Sequence, residues 1–480
     1  MGYDISLATS IETSERQRSN RLPGLDEFFH PASVAVIGAS RTPGKAGNTV
    51  VSNMLEFGFE GRLYPVNPGA GEILGLRCYR SLLEVPGTPD LVIGVLPREK
   101  TRDLVAECAR EGVRHLIIPT AGFSDVGEAG RGLEDEVVSL ARTAGIRLMG
   151  PNSIGTVCTS GNMATSIVTL ERMREGGISL FGQTGMFSSG IARWIDTSEH
   201  FGISKIACLG NKADVDENDL LEYLDADVET RVIGAYTEGV RHGARFARVL
   251  RDVAAHKPVL VLKSGRTETG RRAIASHTGA LSGSEGIYAG LIEQAGAIRV
   301  GDFEEMFDCA KALQWQPLPG GNRVGVVSIT GVGCVLAADS AGGFGLVLPP
   351  PAAGTVARMR ESMPAWAPAA NPADIWAAIE AFGPRSAYTT VSLALLGDEG
   401  VDSLMVIFTL IPESDLDVVG LFSRLKEDRP GKPLAAVLMA GDAGMCREWK
   451  RSLETSGFPT YPSPERALRA IGAMWRYASR

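Results

Sequence analysis

The stretch Ser33-Val34-Ala35-Val36-Ile37-Gly38-Ala39-Ser40-Arg41-Thr42-Pro43-Gly44-Lys45-Ala46-Gly47-Asn48 sets a short apolar run against a glycine-rich turn, and a helical pattern begins near Thr49. An apolar run of this length bounded by turn formers predicts a buried strand, and the turn feeds directly into a helix. Working outward, residues 63–66, 91–96, 116–119 and 147–149 read as further buried strands, separated by helix-length segments. Strand and helix alternating at this pitch imply βαβ units and a parallel, doubly wound sheet. Residues from about 28 to 150 are therefore expected to form a Rossmann-like domain that binds its ligand at the carboxyl ends of the strands.

Two further βα series follow. One runs through residues 178–181, 206–209, 232–236 and 259–263 and ends near Leu313. The other starts after the Pro/Gly-bearing segment 316–321 and runs through 324–329, 403–410 and 434–439. Thr184-Gly185 follows the first strand of one series and Thr330-Gly331 that of the other, while Lys257-Pro258 and Lys432-Pro433 precede corresponding later strands. Such echoes fit an internal duplication, or equally the punctuation shared by any two parallel α/β domains.

Composition narrows the class of function. With 44% hydrophobic and 22% charged residues in a 480-residue chain, the sequence is that of a soluble globular protein with several cores. Acidic residues outnumber basic ones 56 to 48, so no global field attracts nucleic acid or anionic membrane, and any anionic ligand needs a local site. The seven cysteines are odd in number and lack a C-x-x-C pair, which argues against a disulfide framework or a zinc site and favours the cytoplasm. No apolar run has the length of a membrane span. Met1-Gly2-Tyr3-Asp4-Ile5-Ser6 fits a myristoylation pattern, but without a second lipid or polybasic signal it reads as part of a disordered leader.

Three turns carry the candidate chemistry. The Gly38–Asn48 turn places backbone N–H groups and Lys45 where an anion could approach a helix N-terminus. Its spacing is not G-x-G-x-x-G, and Tyr64-Pro65-Val66-Asn67-Pro68 lacks the acidic residue that reads a ribose, so NAD is disfavoured and another phosphate-bearing ligand fits better. Glycine there also suits a turn that only packs helix on strand. Gly182-Gln183-Thr184-Gly185-Met186 and Thr330-Gly331-Val332-Gly333-Cys334 repeat the arrangement as two more anion cradles. In the first of these, Thr184-Gly185-Met186 places no Ser or Cys at the elbow position of G-x-S-x-G, so a hydrolase is poorly supported.

The stretch Ala275-Ser276-His277-Thr278-Gly279-Ala280-Leu281-Ser282-Gly283 encloses a histidine in small residues. Such an imidazole can be approached by a bulky phosphorylated partner and can accept and pass on a phosphoryl group, although a loop histidine is as readily surface decoration. His30, His115, His200, His242 and His256 read as structural or solvated. Glu238 ends a strand of the same series, where its carboxylate could accept the other ring N–H of His277; otherwise it is a strand-end surface carboxylate. Asp214, Asp216 and Glu217 match no metal-ligand spacing and are left unassigned.

At this level of detail the chain resembles the α subunit of ADP-forming (NDP-forming) acyl-CoA synthetases, the acetate–CoA ligases, and more distantly the succinyl-CoA synthetase α subunit. The resemblance rests on VAVIGAS at 34–40, PGKAG at 43–47, YPVNP at 64–68, TAGFSDVGEAG at 120–130, GPNSIG at 150–155, GNKADVDENDLLEYL at 210–224, SHTGALSGS at 276–284 and NPADI at 371–375. It implies an α/β fold in which a Rossmann-like CoA-binding domain, 25–150, precedes two flavodoxin-like doubly wound domains, 151–315 and 322–480. It implies CoA bound at Gly38, Ser40, Lys45, Gly47, Asn67 and Pro97. It makes His277 the phosphorylated histidine and Glu238 its supporting glutamate, and places phosphate and substrate at Asn152, Gln183, Thr184, Gly185, Thr330 and Gly331, with no metal in this chain.

ATP or ADP and Mg²⁺ would then enter through a separate ATP-grasp β subunit, since the three domains leave no segment for one. A homodimer or an α2β2 assembly follows, with a small carboxylic acid and its acyl-CoA as substrates and no nucleic-acid or membrane partner. Two turns depart from the family pattern: the usual Ser-Gln-Ser-Gly reads Gly182-Gln183-Thr184-Gly185, and Asn-Ala-Gly-Gly reads Thr330-Gly331-Val332-Gly333. Lost donors there point either to weaker phosphate binding or to a different acyl substrate. The competing readings are a phosphate-dependent acyl or carbamoyl transferase on the same scaffold and a non-catalytic CoA-binding regulator.

Overall fold

The structure, a computed structural model, describes residues 24–278, 283–410 and 416–480, with side chains throughout except at 275–278. The leader and its myristoylation pattern lie outside the described residues. The apolar runs fold as expected into parallel strands of an α/β architecture. In the first sheet the spatial order is Arg62–Val66, Ser33–Ile37, Leu91–Gly94, His115–Ile117, Arg147–Met149, all parallel. Alternate residues of the central strand serve opposite faces: Val34 and Val36 pack with Val50, Val51 and Met54, while Ala35 and Ile37 pack with Tyr64, Val92 and Leu116. Both faces are covered, which is why these strands read as continuous apolar runs.

The second sheet is built around Glu175–Gly182, flanked by Ile203–Cys208 on one side and by Val232–Thr237, Val259–Lys263 and Ile298–Val300 on the other. An antiparallel extension, Gly155–Cys158 with Met163–Ala164, lies beside Ile203–Cys208 and was not expected from the sequence. Its short strands carry too few residues to show a period. The segment that follows is tied to the first sheet's helix Ala46–Phe57: the Asn53 amide donates to the carbonyls of Ser166 and Val168, both at 2.8 Å, and accepts from the Leu170 amide at 3.1 Å.

The third sheet orders Ala373–Asp374, Val324–Ser328, Ser403–Leu410, Leu434–Gly441 and Thr460–Tyr461, again all parallel. Counted along the chain, the parallel strands of all three sheets thus follow one order, 2-1-3-4-5, and each reverses direction between its first and third strands. That reversal is the switch point at which open α/β sheets hold ligands.

By its contacts the chain forms two compact units, one comprising the described residues up to Thr197 with Gly202–Arg299, the other Ser198–Phe201 with Val300–Arg480. The first and second sheets share one continuous apolar core, running from Phe28, Val36 and Met149 to Phe181, Ile233 and Val261. In the second unit the helix Phe303–Trp315 packs on Pro464–Ala478. There Lys311, fully enclosed, donates to Glu199 at 3.2 Å and Glu454 at 3.0 Å. Burial alone would depress its ammonium, but the carboxylates of Glu454, Glu199 and Asp308 hold it well above its ordinary value. Among the described residues no helix is long and apolar enough to cross a membrane.

Candidate active site

In the first sheet the turn after Ser33–Ile37 sits at the switch point. Gly38 has φ +83°, and a Cβ on it would lie 2.0 Å from the Val95 carbonyl oxygen. A Cβ on Gly47 would lie 2.1 Å from the Gly38 carbonyl oxygen. Both glycines therefore let backbone approach backbone, so the packing role weighed from sequence is real at these two positions. Gly44, by contrast, opens onto space, and Lys45 beside it is exposed, caps the helix with extended backbone and makes no ion pair among the described residues.

The Ser40 hydroxyl accepts from the Thr42 amide at 3.1 Å, and its carbonyl accepts from the Asn48 side chain at 2.8 Å. Asn67 bridges two loops, donating to the Ala39 carbonyl at 2.7 Å and accepting from the Gly69 amide at 2.8 Å. Pro97 opens the turn Arg98–Lys100 that follows Leu91–Gly94. Five of the six residues expected to hold CoA thus stand on the loops after the first, second and third strands, and the sixth, Gly47, is the second residue of the helix Ala46–Phe57; Gly44 and Arg41 stand in the same turn and were not singled out. The site has what a phosphorylated ligand needs: open space at a glycine, a helix N-terminus and an unengaged ammonium.

A second cluster forms at the switch point of the second sheet, because Gly182 pairs with Tyr236 and the two strands end level. The Gln183 side-chain oxygen accepts from the amides of Glu238 at 2.9 Å and Gly239 at 3.4 Å. Its amide nitrogen is left to donate elsewhere. Thr184 turns its hydroxyl to the Met186 amide at 3.2 Å, and a Cβ on Gly185 would lie 2.5 Å from Ile154. The loop 151–154 is thereby brought against this turn. Asn152 in that loop has φ +62°, its amide bonds the Thr120 carbonyl at 2.9 Å, and its side chain donates to Asn211 at 3.4 Å.

Glu238 is buried, with the Tyr236 hydroxyl 3.3 Å from its carboxylate. Two buried lysines hold its backbone. Lys263 donates to the Glu238 carbonyl at 2.9 Å and to the Ser264 carbonyl, and stands 4.7 Å from the centre of the Tyr288 ring. Lys212 donates to the Gly239 carbonyl and to the Glu217 carboxylate, the latter at 2.7 Å. Burial lowers the Lys263 ammonium from its ordinary value. Neither lysine was singled out from sequence, although Lys263 ends a continuous apolar run and Lys212 belongs to the GNKADV block.

His277 falls in the last turn of the helix Glu268–Thr278, which follows Val259–Lys263 and packs against the turn Ser124–Val126 of the TAGFSDVGEAG block. Its side chain, and residues 279–282 of the small-residue stretch, lie outside what the structure describes.

The third sheet's turn differs. Thr330 caps its own helix, its hydroxyl accepting from the Gly333 amide at 3.2 Å, and a Cβ on Gly331 would lie 3.3 Å from a carboxylate oxygen of Asp374. An anion at this helix N-terminus would share the space with that carboxylate. The acidic loop left unassigned is structural. Asp214 pairs with Arg147 at 3.0 Å, Asp216 forms a capping box with Asp219, and Glu217 pairs with Lys212. His30, Cys158 and Glu229 bring donor atoms within 4.8 Å of one another, yet the Lys205 ammonium, 2.7 Å from Glu229, already supplies the positive charge a cation would bring.

Fold and site together define a CoA-binding α/β module joined to a ligase-type flavodoxin module. A family model described as a CoA binding domain matches residues 32–159, and one described as a succinyl-CoA ligase like flavodoxin domain matches residues 175–313. The ADP-forming acetate–CoA ligase II of Archaeoglobus fulgidus is 39% identical over 98% of this chain and 69% of its own length. The α subunit of the ADP-forming acetate–CoA ligase II of Pyrococcus furiosus is 37% identical over 95% of this chain and 98% of its own. Among solved structures, the dinucleotide forming acetyl-coenzyme A synthetase 1 of Ca. Korarchaeum cryptofilum, in complex with phosphate and ADP, superposes with a TM-score of 0.87 at 33% identity, covering 95% of this chain and 97% of that one. The chain belongs to the ADP-forming acetate–CoA ligase family, a family of acid–thiol ligases.

Proposed function

We propose that this chain is the α subunit of an ADP-forming acyl-CoA synthetase and carries the acyl, CoA and phosphohistidine half of the reaction. The observation that carries the proposal is the junction of Gln183 and Glu238: one side chain of an anion-binding turn holds the backbone of a buried carboxylate at the sheet's switch point. The match to a relative described as a subunit alpha along 98% of its length supports the assignment of subunit. We read the chain as three modules, 25–150, 151–315 and 322–480; the compact unit that holds the first also holds the second as far as Arg299, apart from Ser198–Phe201.

CoA, as substrate, would lie on the Gly38–Gly47 turn with Lys45 on its phosphates and Ser40, Asn67 and Pro97 lining the loops. In the direction of acyl-CoA formation, a carboxylate oxygen attacks the phosphorus of phosphorylated His277. The P–N bond breaks, and its electron pair returns to the imidazole. The CoA sulfur then attacks the acyl carbon of the acyl phosphate; the C–O bond to phosphate breaks and the thiol proton passes to solvent. Glu238 holds the histidine's ring, and the side-chain N–H of Gln183 and the backbone N–H groups of Thr184 and Gly185, with Asn152 alongside, hold the phosphoryl oxygens. Thr330 keeps a capping role, and Gly331 brings the same turn close to Asp374. ATP and Mg²⁺ belong to a separate ATP-grasp subunit that rephosphorylates His277, most simply in an α2β2 assembly in the cytoplasm.

The test runs the half-reaction backwards without a partner. The purified chain is incubated with phosphate and a panel of acyl-CoAs and followed by intact mass at neutral pH. We expect one added phosphoryl group with the cognate acyl-CoA and none in His277→Ala. Phosphate-dependent release of CoA with no label would favour a transferase, and CoA binding without turnover a regulator.

A further inference from the structure

The turn Thr237–Val240 is held on every side by side chains from other elements. Gln183 accepts its amides at 238 and 239, the Tyr288 hydroxyl accepts the Val240 amide at 2.9 Å, and the carbonyls of Glu238 and Gly239 accept from Lys263 and Lys212. Of these, Lys263 stands out. It is 2% exposed, yet no carboxylate among the described residues pairs directly with it, whereas the equally buried Lys212 is neutralised by Glu217. A buried ammonium without a direct ion pair is costly, and the carboxylates of Glu285 and Glu238 act on it only across space, so its place is set by its backbone acceptors. Its contacts are two backbone carbonyls and the face of Tyr288, which leave it no free donor for a ligand. It can therefore act on the site only through its grip on residue 238 and through its field.

We propose that Lys263 is a positioning residue for Glu238: it fixes the backbone that aims the carboxylate, and its charge offsets the crowding of that carboxylate with the phosphoryl group passing through His277. The inference rests on the phosphohistidine reading above. At a protein interior's low dielectric the neighbouring negative charges repel strongly, and a fixed cation behind them favours their coexistence without touching either.

The test is a double-mutant cycle on the full chain, read as the rate of phosphoryl incorporation from acyl-CoA and phosphate. Lys263→Met is expected to slow labelling at least about 10-fold with CoA affinity unchanged, an effect on the order of that seen when a supporting partner of a functional histidine is removed. Lys263→Arg, which keeps the charge, is expected to recover most of the rate. In a Glu238→Gln background Lys263→Met is expected to add less than about a 2-fold loss, because both act through one group. Wild-type labelling with an unimpaired Lys263→Met, or losses that multiply in the double variant, overturns the inference alone. Absence of labelling in the wild type overturns both it and the functional reading. Should Lys263→Met fail to fold by circular dichroism, Lys263→Arg decides, and a folded Lys263→Arg that labels no faster than Glu238→Gln overturns the role of the charge.

Discussion

At the switch point of the second sheet, the turn after Glu175–Gly182 presents Gln183 to a buried glutamate on the neighbouring strand end, with two lysines behind it. At the same point of the third sheet, the turn after Val324–Ser328 presents Thr330 to its own helix and Gly331 to the exposed Asp374. Strand order and position are shared, so topology by itself does not make an active site. The difference lies in what stands behind each carboxylate. Glu238 is enclosed among side chains that fix it, while Asp374 faces water and caps the Trp376 amide at 3.0 Å. A shared plan thus supplies two equivalent places, of which one encloses a braced carboxylate and the other ties its turn to the start of its own helix.

The sharpest way to break this contrast is to neutralise each carboxylate in turn. Glu238→Gln is expected to lower the rate of His277 labelling roughly 10- to 100-fold, whereas Asp374→Asn leaves it within about 2-fold. Comparable losses from both would put the third sheet into the reaction. A smaller effect separates the two turns by stability. Gln183→Leu leaves two backbone amides without their acceptor and is expected to cost about 1–3 kcal/mol in urea unfolding as well as slowing labelling. Thr330→Ala removes only a helix cap, about 1 kcal/mol, with labelling unchanged.

The smallest effect concerns pH. The Arg323 guanidinium grips Asp402 with bonds of 2.8 and 2.7 Å and, chiefly by hydrogen bonding, holds its carboxyl below the usual range. Its contribution is fully present above the unfolded carboxyl pKa of about 4 and is lost as pH falls through the depressed folded value. The Tm difference between wild type and Arg323→Leu is therefore expected at pH 7 and expected to shrink as pH falls below about 4, with labelling at neutral pH unaffected.

Much of this was legible in advance. Buried parallel strands are covered on both faces, so they announce themselves as apolar runs, and glycine turns after them mark the carboxyl edge. The short hairpin Gly155–Cys158 and Met163–Ala164 was not legible, since two- and four-residue strands have no period to read. Lys212 and Lys263 escaped notice for another reason: a lysine in sequence reads as surface, and only three-dimensional enclosure turns it into a buried cation. The acidic trio Asp214, Asp216 and Glu217 was undecided until Arg147 was seen to pair with Asp214, Lys212 with Glu217, and Asp216 to cap its own helix.

The sequence by itself determined the α/β class, the parallel strands of the three sheets, the glycine-bearing turns at their carboxyl ends and the family, because local periodicity and ordered motif blocks are properties of neighbours along the chain. Only the tertiary structure decided that Gln183 braces Glu238, that Lys263 is buried without a direct ion pair and that Gly331 faces Asp374. Those facts join residues tens of positions apart, and their energies arise from burial and from the distance between charges, which no local pattern encodes.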